Sequence, residues 1–139
     1  MPIEIEILQK KNYLICRCFG KLTDDELIES WSKVYEGDEW VPGMVELIDL
    51  SQLEAPTTTI HGIRRLAVYC NQIYEREGIN KVIVSIYAPK PMEFGLACLY
   101  QALTQKTLED VHVFKDYEDA LAFTKGCARL YDRRVPTSA

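Results

Sequence analysis

Lys81-Val82-Ile83-Val84-Ser85-Ile86 is the segment of the chain most informative about its architecture. It is a nearly continuous apolar run, closed upstream by Gly78 and downstream by Pro89-Lys90-Pro91. A strand that is apolar on both faces is buried on both, as in the interior of a parallel sheet. Parallel strands require crossovers, so helices are expected on either side of it. Upstream, Thr57-Thr58-Thr59 sits where a helix N-cap falls, and Ile60, Ile63, Ala67, Cys70 and Tyr74 form a buried stripe at helical spacing before the stop at Gly78. Downstream, a helix is expected from about Met92 to Lys106. A short strand, Val111 to Phe114, follows it. The last helix is opened by Asp116 and carries Tyr117, Ala120, Leu121 and Phe123.

The N-terminal part starts with a different pattern. Ile3-Glu4-Ile5-Glu6-Ile7 alternates strictly, the period of a half-buried strand, and Gln9-Lys10-Lys11-Asn12 breaks it before a second run from Tyr13 to Phe19. The two read as a β-hairpin closed by Gly20. Thr23-Asp24-Asp25-Glu26 is a capping box, and its acids suit the positive end of a helix dipole. Leu27, Trp31 and Val34, flanked by Ile28 and Tyr35, continue that helix to Glu36-Gly37. Trp40-Val41-Pro42-Gly43 is a turn, Met44 to Leu50 a third strand, and Ser51 to Pro56 a loop.

The expected fold is therefore α/β: an N-terminal hairpin, then repeated strand-helix units around a mixed, mostly parallel five-stranded sheet. No linker or change of composition divides residues 1–139, so one domain is expected, with a C-terminal tail from about residue 128. A chain of 139 residues falls within roughly 100–150, the common range for one domain.

Composition excludes several classes. The net charge of -5 argues against a general nucleic-acid binder, and the one basic cluster, Arg129, Arg133 and Arg134, reads as a solvated tail. No apolar run approaches the ~20 residues of a membrane span. Met1-Pro2-Ile3-Glu4 lacks the basic and apolar regions of a signal peptide, so a reducing, cytoplasmic location is expected. The five cysteines are odd in number and form no CxxC pair; Cys16 and Cys18 point to one face of a strand, and all five read as small buried hydrophobes. With His61 and His112 as the only histidines, the spacing supports no zinc site, and no cofactor is expected.

Several short motifs carry a resemblance. They are Gly20-Lys21-Leu22-Thr23 before the first helix, Leu47-Ile48-Asp49-Leu50-Ser51 at the third strand, Phe94-Gly95-Leu96-Ala97 in the third helix, and Val113-Phe114 leading into Glu118-Asp119-Ala120-Leu121. In these and in element order the chain resembles the STAS domain of anti-sigma-factor antagonists, and more closely the SpoIIAA-like bacterial proteins of that fold. The resemblance implies a non-enzymatic regulatory or protein-interaction domain, with a kinase or regulator as partner. In STAS antagonists the loop after the Asp-bearing strand carries Asp-Ser-Ser-Gly, and one serine is phosphorylated. The matching stretch here is Thr57-Thr58-Thr59-Ile60, which keeps hydroxyl residues but not the Asp or the Gly.

Two readings of Thr57–Thr59 are open: a phosphoacceptor favoured by the free N–H groups of a helix start, and simple capping. The crevice at the carboxyl ends of the strands is the second place to look, with Asp49, Ser51, Thr58, His61, Tyr87, Phe94 and Gly95 expected around it. A small apolar ligand or lipid, carried or sensed there, is the alternative function. Gly95 is otherwise read as allowing close helix-sheet approach. No nucleophile, base and orienting group stand at a catalytic spacing, so no catalytic residue is assigned. The second sheet face, with Ile83, Ser85, Tyr87, His112 and Phe114, needs cover from terminal segments or from a second subunit in a homodimer.

Overall fold

The double-sided apolar run becomes the fourth of five strands in the computed structural model, which describes residues 2–54 and 57–132. In chain order the described elements are β1 (Ile3–Leu8), a 3-10 turn (Gln9–Lys11), β2 (Tyr13–Gly20), α1 (Asp24–Glu36), β3 (Val45–Leu53), α2 (Ile60–Arg76), β4 (Val82–Tyr87), α3 (Pro91–Leu103), β5 (Glu109–Phe114) and α4 (Tyr117–Leu130). The strands lie side by side in sequence order. β1 pairs antiparallel with β2, and the remaining pairs are parallel. The expected architecture holds throughout.

Three boundaries differ, each for a physical reason. β3 continues through Ser51 and Gln52 to Leu53, where a loop was expected. A β-bulge intervenes: Arg17 pairs with Asp49, but Phe19 pairs with Gln52, so β3 holds one extra residue. The bulge resets the alternation and buries both Leu50 and Leu53. β5 begins at Glu109, two residues before its apolar run, because the Glu109 side chain is buried in spite of its charge. α3 stops at Leu103, three residues before Lys106. The Thr104 hydroxyl there donates back to the Tyr100 carbonyl, and Thr107 N–H bonds the Thr104 carbonyl in a following turn.

Sheet register sorts side chains onto two faces. Leu14, Cys16, Val84, Ile86 and Val111 meet α1, α2 and α3 on one face in the larger core, and Cys16 and Cys18 do share this side, both buried. The other face carries Tyr13, Ile15, Val45, Leu47 and Ile83. α4 covers it with Ala120, Ala128, Leu121, Phe123 and Cys127. The cover required for Ile83, Ser85, Tyr87, His112 and Phe114 thus comes from this chain's own last helix. The apolar argument for a second subunit falls with that finding. Helix α4 runs to Leu130 with Ala128 buried, and Arg133 and Arg134 lie outside the described residues.

Asn12 ties α4 down. It sits at φ 64° after the 3-10 turn, a left-handed conformation that Asn tolerates better than most residues. Its side-chain amide donates to the Ala128 carbonyl at 3.1 Å, and its own carbonyl accepts from Val45 N–H at 3.1 Å. Asn12→Ala combines a strained φ with an unmet carbonyl, and is expected to lower unfolding free energy by about 1–3 kcal/mol in urea titration. Asn12→Gly, which relieves the φ but still lacks the amide, is expected to recover only part of that loss.

Candidate functional site

The Thr57–Thr59 segment is a latch between the start of α2 and the segment that opens α1. Thr57 and Thr58 hydroxyls both donate to the Leu22 carbonyl, at 2.7 and 3.1 Å. Thr59 caps α2 by accepting from Gly62 N–H at 3.0 Å, as the sequence predicts for this position. It also turns to α1: its N–H and hydroxyl donate to the two Asp24 carboxylate oxygens at 2.8 and 2.7 Å. Burial opposes ionisation of Asp24, but the two Thr59 bonds, together with the nearby Arg65 and His61, hold this carboxyl below its usual range. Gly62 makes the approach possible, since a Cβ there would overlap the Asp24 side chain. A second, exposed link between the helices is the Arg65–Asp25 ion pair at 3.7 Å. Thr23 and Glu26 complete the expected capping box at the start of α1.

Beneath this latch lies an apolar cavity of about 90 Å³, between the sheet and the undersides of α1, α2 and α3. Leu53, Leu66, Ile86 and Leu96 are among its walls, and Leu22 and Thr58 belong to both cavity and latch. It runs along this face of the sheet, from Glu46 and Glu109 at the starts of β3 and β5 to Leu50 and Leu53 at the carboxyl end of β3, the end at which open α/β sheets take ligands. Three polar side chains interrupt the apolar lining: Glu46 from β3, Glu109 from β5 and Tyr100 from α3.

The two carboxylates are deeply buried, with Glu46 2% and Glu109 7% exposed. Tyrosine hydroxyls meet them. Tyr35 from α1 and Tyr74 from α2 lie 3.2 and 3.1 Å from Glu46 Oε2 and 2.8 Å from each other. Tyr100 donates to Glu109 Oε2 at 2.7 Å. Burial, and after it the nearby Glu109, push Glu46 from the usual 4.5 up to about 8, against the tyrosine bonds. Burial pushes Glu109 up to about 7, with the Tyr100 bond opposing. Near neutral pH the site therefore holds a proton that exposed carboxyls release. Burial also raises the Cys70 thiol and the Tyr35, Tyr74 and Tyr100 hydroxyls far above neutrality.

The remaining crevice residues do not form one site. Asp49 and Tyr87 align in register with Arg17 and Phe114 on the α4 face, opposite the cavity. Asp49 Oδ1 accepts the Ser51 N–H at 2.8 Å within the bulge, and Tyr87 packs edge-on against Tyr117. His61 is exposed on α2, in a shallow groove beside Ile28 and Arg65. Phe94 packs at the margin of the larger core with Lys115 over its ring at 4.5 Å. Gly95 is exposed, and a Cβ there would meet open space, so it does not serve close helix-sheet approach. Of the crevice set, Thr58 reaches the cavity wall.

Sequence reading missed Glu46 and Glu109. The signal was present: Glu46 interrupts the run Val45-Glu46-Leu47-Ile48 in a strand buried on both faces. A charged residue there needs partners overhead, and Tyr35 and Tyr74 occur in the helices that supply them.

The geometry defines an α/β domain of SpoIIAA-like fold with an apolar cavity bordered by Thr58 of the threonine latch. Two of the solved structures that carry that likeness are the following. One is an uncharacterised DUF3478-family protein with a SpoIIAA-like fold from Shewanella loihica PV-4, with TM-score 0.55 and 22% identity over 88% of this chain and 91% of that one. The other is the anti-sigma factor antagonist SpoIIAA in its unphosphorylated form, with TM-score 0.57 and 14% identity over 89% of this chain and 98% of that one. No protein-family profile and no curated protein sequence matches the chain.

A pH dependence follows from the buried acids. Between the usual carboxyl range and about 8, the folded chain binds protons that the unfolded chain has released, so unfolding free energy falls as pH rises. The groups facing Glu46 and Glu109, namely Tyr35, Tyr74, Tyr100 and Cys70, titrate above that window. Urea titrations from pH 5 to pH 8.5 are expected to show a decline on the order of a few kcal/mol. Glu46→Gln is expected to flatten the curve. A wild-type stability that rises over this range would contradict the assignment.

Proposed function

We propose that the protein is a non-catalytic regulatory domain of STAS type, acting by protein-protein contact through the latch at the start of α2. The observation that carries this reading is the latch itself. Three consecutive threonines precede the helix that follows the third strand, Thr59 as its cap, and every one of their hydroxyls is bonded to the segment opening α1. A phosphoryl group on Thr57 or Thr58 removes a bond to Leu22. On Thr59 it sets a dianion against the Asp24 carboxylate, within a hydrogen bond's length of the hydroxyl. Either event weakens the tie between the start of α2 and α1 and changes the surface a partner meets. The alternative that these threonines only cap the helix predicts no such response.

A second reading is favoured by the cavity: a small, largely apolar molecule, carried or sensed. Leu22 and Thr58 border the cavity and also take part in the latch, so an occupant would touch the surface offered to a protein partner.

The deciding experiment is retention of proteins from the source organism's lysate, with ATP, on wild type and on a Thr57→Ala/Thr58→Ala/Thr59→Ala variant of unchanged circular dichroism, followed by phosphopeptide mapping. The expected outcome is a protein retained by one form and not the other, with phosphate on the 57–59 segment of the wild type. An unmodified segment alongside a labelled control substrate, together with identical retention by both forms, would sink the regulatory reading.

A further inference from the structure

The two edges of the sheet, β1 and β5, are finished differently. On β5 the outward backbone groups are met. Glu109 N–H donates to the Thr107 hydroxyl at 3.2 Å, and the Gln101 side-chain amide donates to the Val111 carbonyl at 2.8 Å. On β1 they are not. Phe19 N–H bonds the Pro2 carbonyl at 2.7 Å, and along an antiparallel ladder every second residue bonds the neighbouring strand. Glu4, Glu6 and Leu8 therefore bond β2, while Ile3, Ile5 and Ile7 turn N–H and C=O to the outside. Among the described residues no donor or acceptor meets those outward groups. An edge of this kind is a template for another strand.

The side chains of the same isoleucines line a groove of about 330 Å³ between β1 and the second half of α1, with Val34 among its walls. A strand added here bonds the edge with its backbone and sets every second side chain over that groove, the way strand addition divides affinity from specificity. Its other side chains lie on the α4 face, beside Glu4 and Glu6. Both glutamates are exposed. Arg17 meets Glu6 at 3.2 Å, and Glu4 has no partner among the described residues. Asp38 and Glu39 border the groove, and Lys33 beside them is already paired with Glu29 at 3.4 Å. A second copy of the chain is the wrong occupant. A two-fold antiparallel pairing of β1 centred on Ile5 sets Glu4 of each copy against Glu6 of the other, and like charges directly opposite destabilise a sheet. Centring it on either glutamate sets that residue against its own counterpart.

We propose that the outer edge of β1 is a docking site for an extended segment of a partner protein in which apolar residues alternate with Lys or Arg. The apolar residues occupy the groove beside Ile5 and Ile7, and the cations lie beside Glu4 and Glu6. The same two glutamates turn away a copy of the chain and select a basic strand. This surface includes none of the latch residues, so it stands or falls separately from the latch.

The test titrates acetyl-Val-Lys-Val-Lys-Val-Lys-Val-amide, and its counterpart with Glu in place of Lys, at pH 7 and low salt, with backbone amide hydrogen exchange followed by NMR. The Lys peptide is expected to slow exchange at Ile3, Ile5 and Ile7 by about tenfold or more, while Glu4 and Glu6, already bonded to β2, change little. It is also expected to bind about tenfold or more tighter than the Glu peptide. Glu4→Gln/Glu6→Gln is expected to bring the two peptides within about threefold of each other. Ile5→Pro deletes one outward N–H at a position where edge strands tolerate proline, and is expected to abolish protection at Ile3 and Ile7. Should that variant fold poorly, the glutamine variant, altered only at exposed side chains, decides. Equal binding of both peptides would overturn the charge assignment. Amides left unprotected by either peptide would overturn the site. Protection that grows with protein concentration in the absence of peptide would assign the edge to a second copy and overturn the proposed partner.

Discussion

A carboxylate in the middle of a parallel sheet constrains whatever packs above it. Glu46 lies on β3 with β2 on one side and β4 on the other, and no strand can offer it a donor, because the backbone donors around it are used in the ladder. Donors must descend from the helices. Tyr35 and Tyr74 do so, one from α1 and one from α2, and their 2.8 Å contact fixes the two helices relative to each other as well as to the sheet. The same pair sits in an aromatic cluster: Tyr35 packs on Trp31, Trp40 and Tyr74, with ring centroids 5.6, 4.7 and 5.8 Å away. Polar satisfaction and apolar packing thus act through one tyrosine. At the opposite end of the helix pair, Asp24 and Thr59 make the second fixed point, and the cavity lies in the span between the two.

That arrangement relates the latch to the cavity without any long-range path. Leu22 supplies a carbonyl to Thr57 and Thr58 and a side chain to the cavity wall, so displacement of Leu22 is felt at both. The latch is built from exposed or half-buried hydroxyls, and hydrogen bonds of that kind contribute only on the order of 1 kcal/mol each. The Glu46 cluster is buried, and breaking it would leave a buried carboxyl without its tyrosine partners. Opening is therefore expected at the latch end, with α1 and α2 held together at the Tyr35–Tyr74 end. Gly62 sharpens the point, because the Asp24 approach needs a missing Cβ.

Much of this was legible in the residues. β4 declared itself by its unbroken apolar run, α1 by Thr23 and Glu26, and the start of α2 by Thr59, each through a local rule that tertiary structure left intact. What was not legible depends on contacts between distant residues. The bulge after Asp49 comes from pairing with β2, and nothing in Leu50-Ser51-Gln52 announces it. The early start of β5 at Glu109 was hidden because a charged residue reads as solvent-facing until Tyr100 is seen above it. Asp49 and Tyr87 were grouped with Thr58 and His61 because all lie near the carboxyl ends of strands. Strand alternation puts Asp49 and Tyr87 on the other face, and that grouping confused an end of the sheet with a side of it.

The two faces also treat their polar groups differently, which argues for which side carries function. On the α4 side, Ser85 is fully buried and its hydroxyl has no protein partner, while its register neighbour His112 is turned to Asp110 at 3.1 Å and packed against Phe123. Serine, histidine and aspartate thus lie on one face without a serine-histidine bond, and α4 closes over the serine. On the α1–α3 side Trp40 Nε1 and Glu93 Oε2 are likewise buried without a partner, while Glu46 and Glu109 at the cavity are each bonded by tyrosine hydroxyls. A buried group with no partner is a local cost of packing, whereas partnered acids from β3 and β5 border a space that a ligand can fill. The helix that seals the second face leaves the other, with its latch and its acids, as the side to which the proposed recognition is assigned.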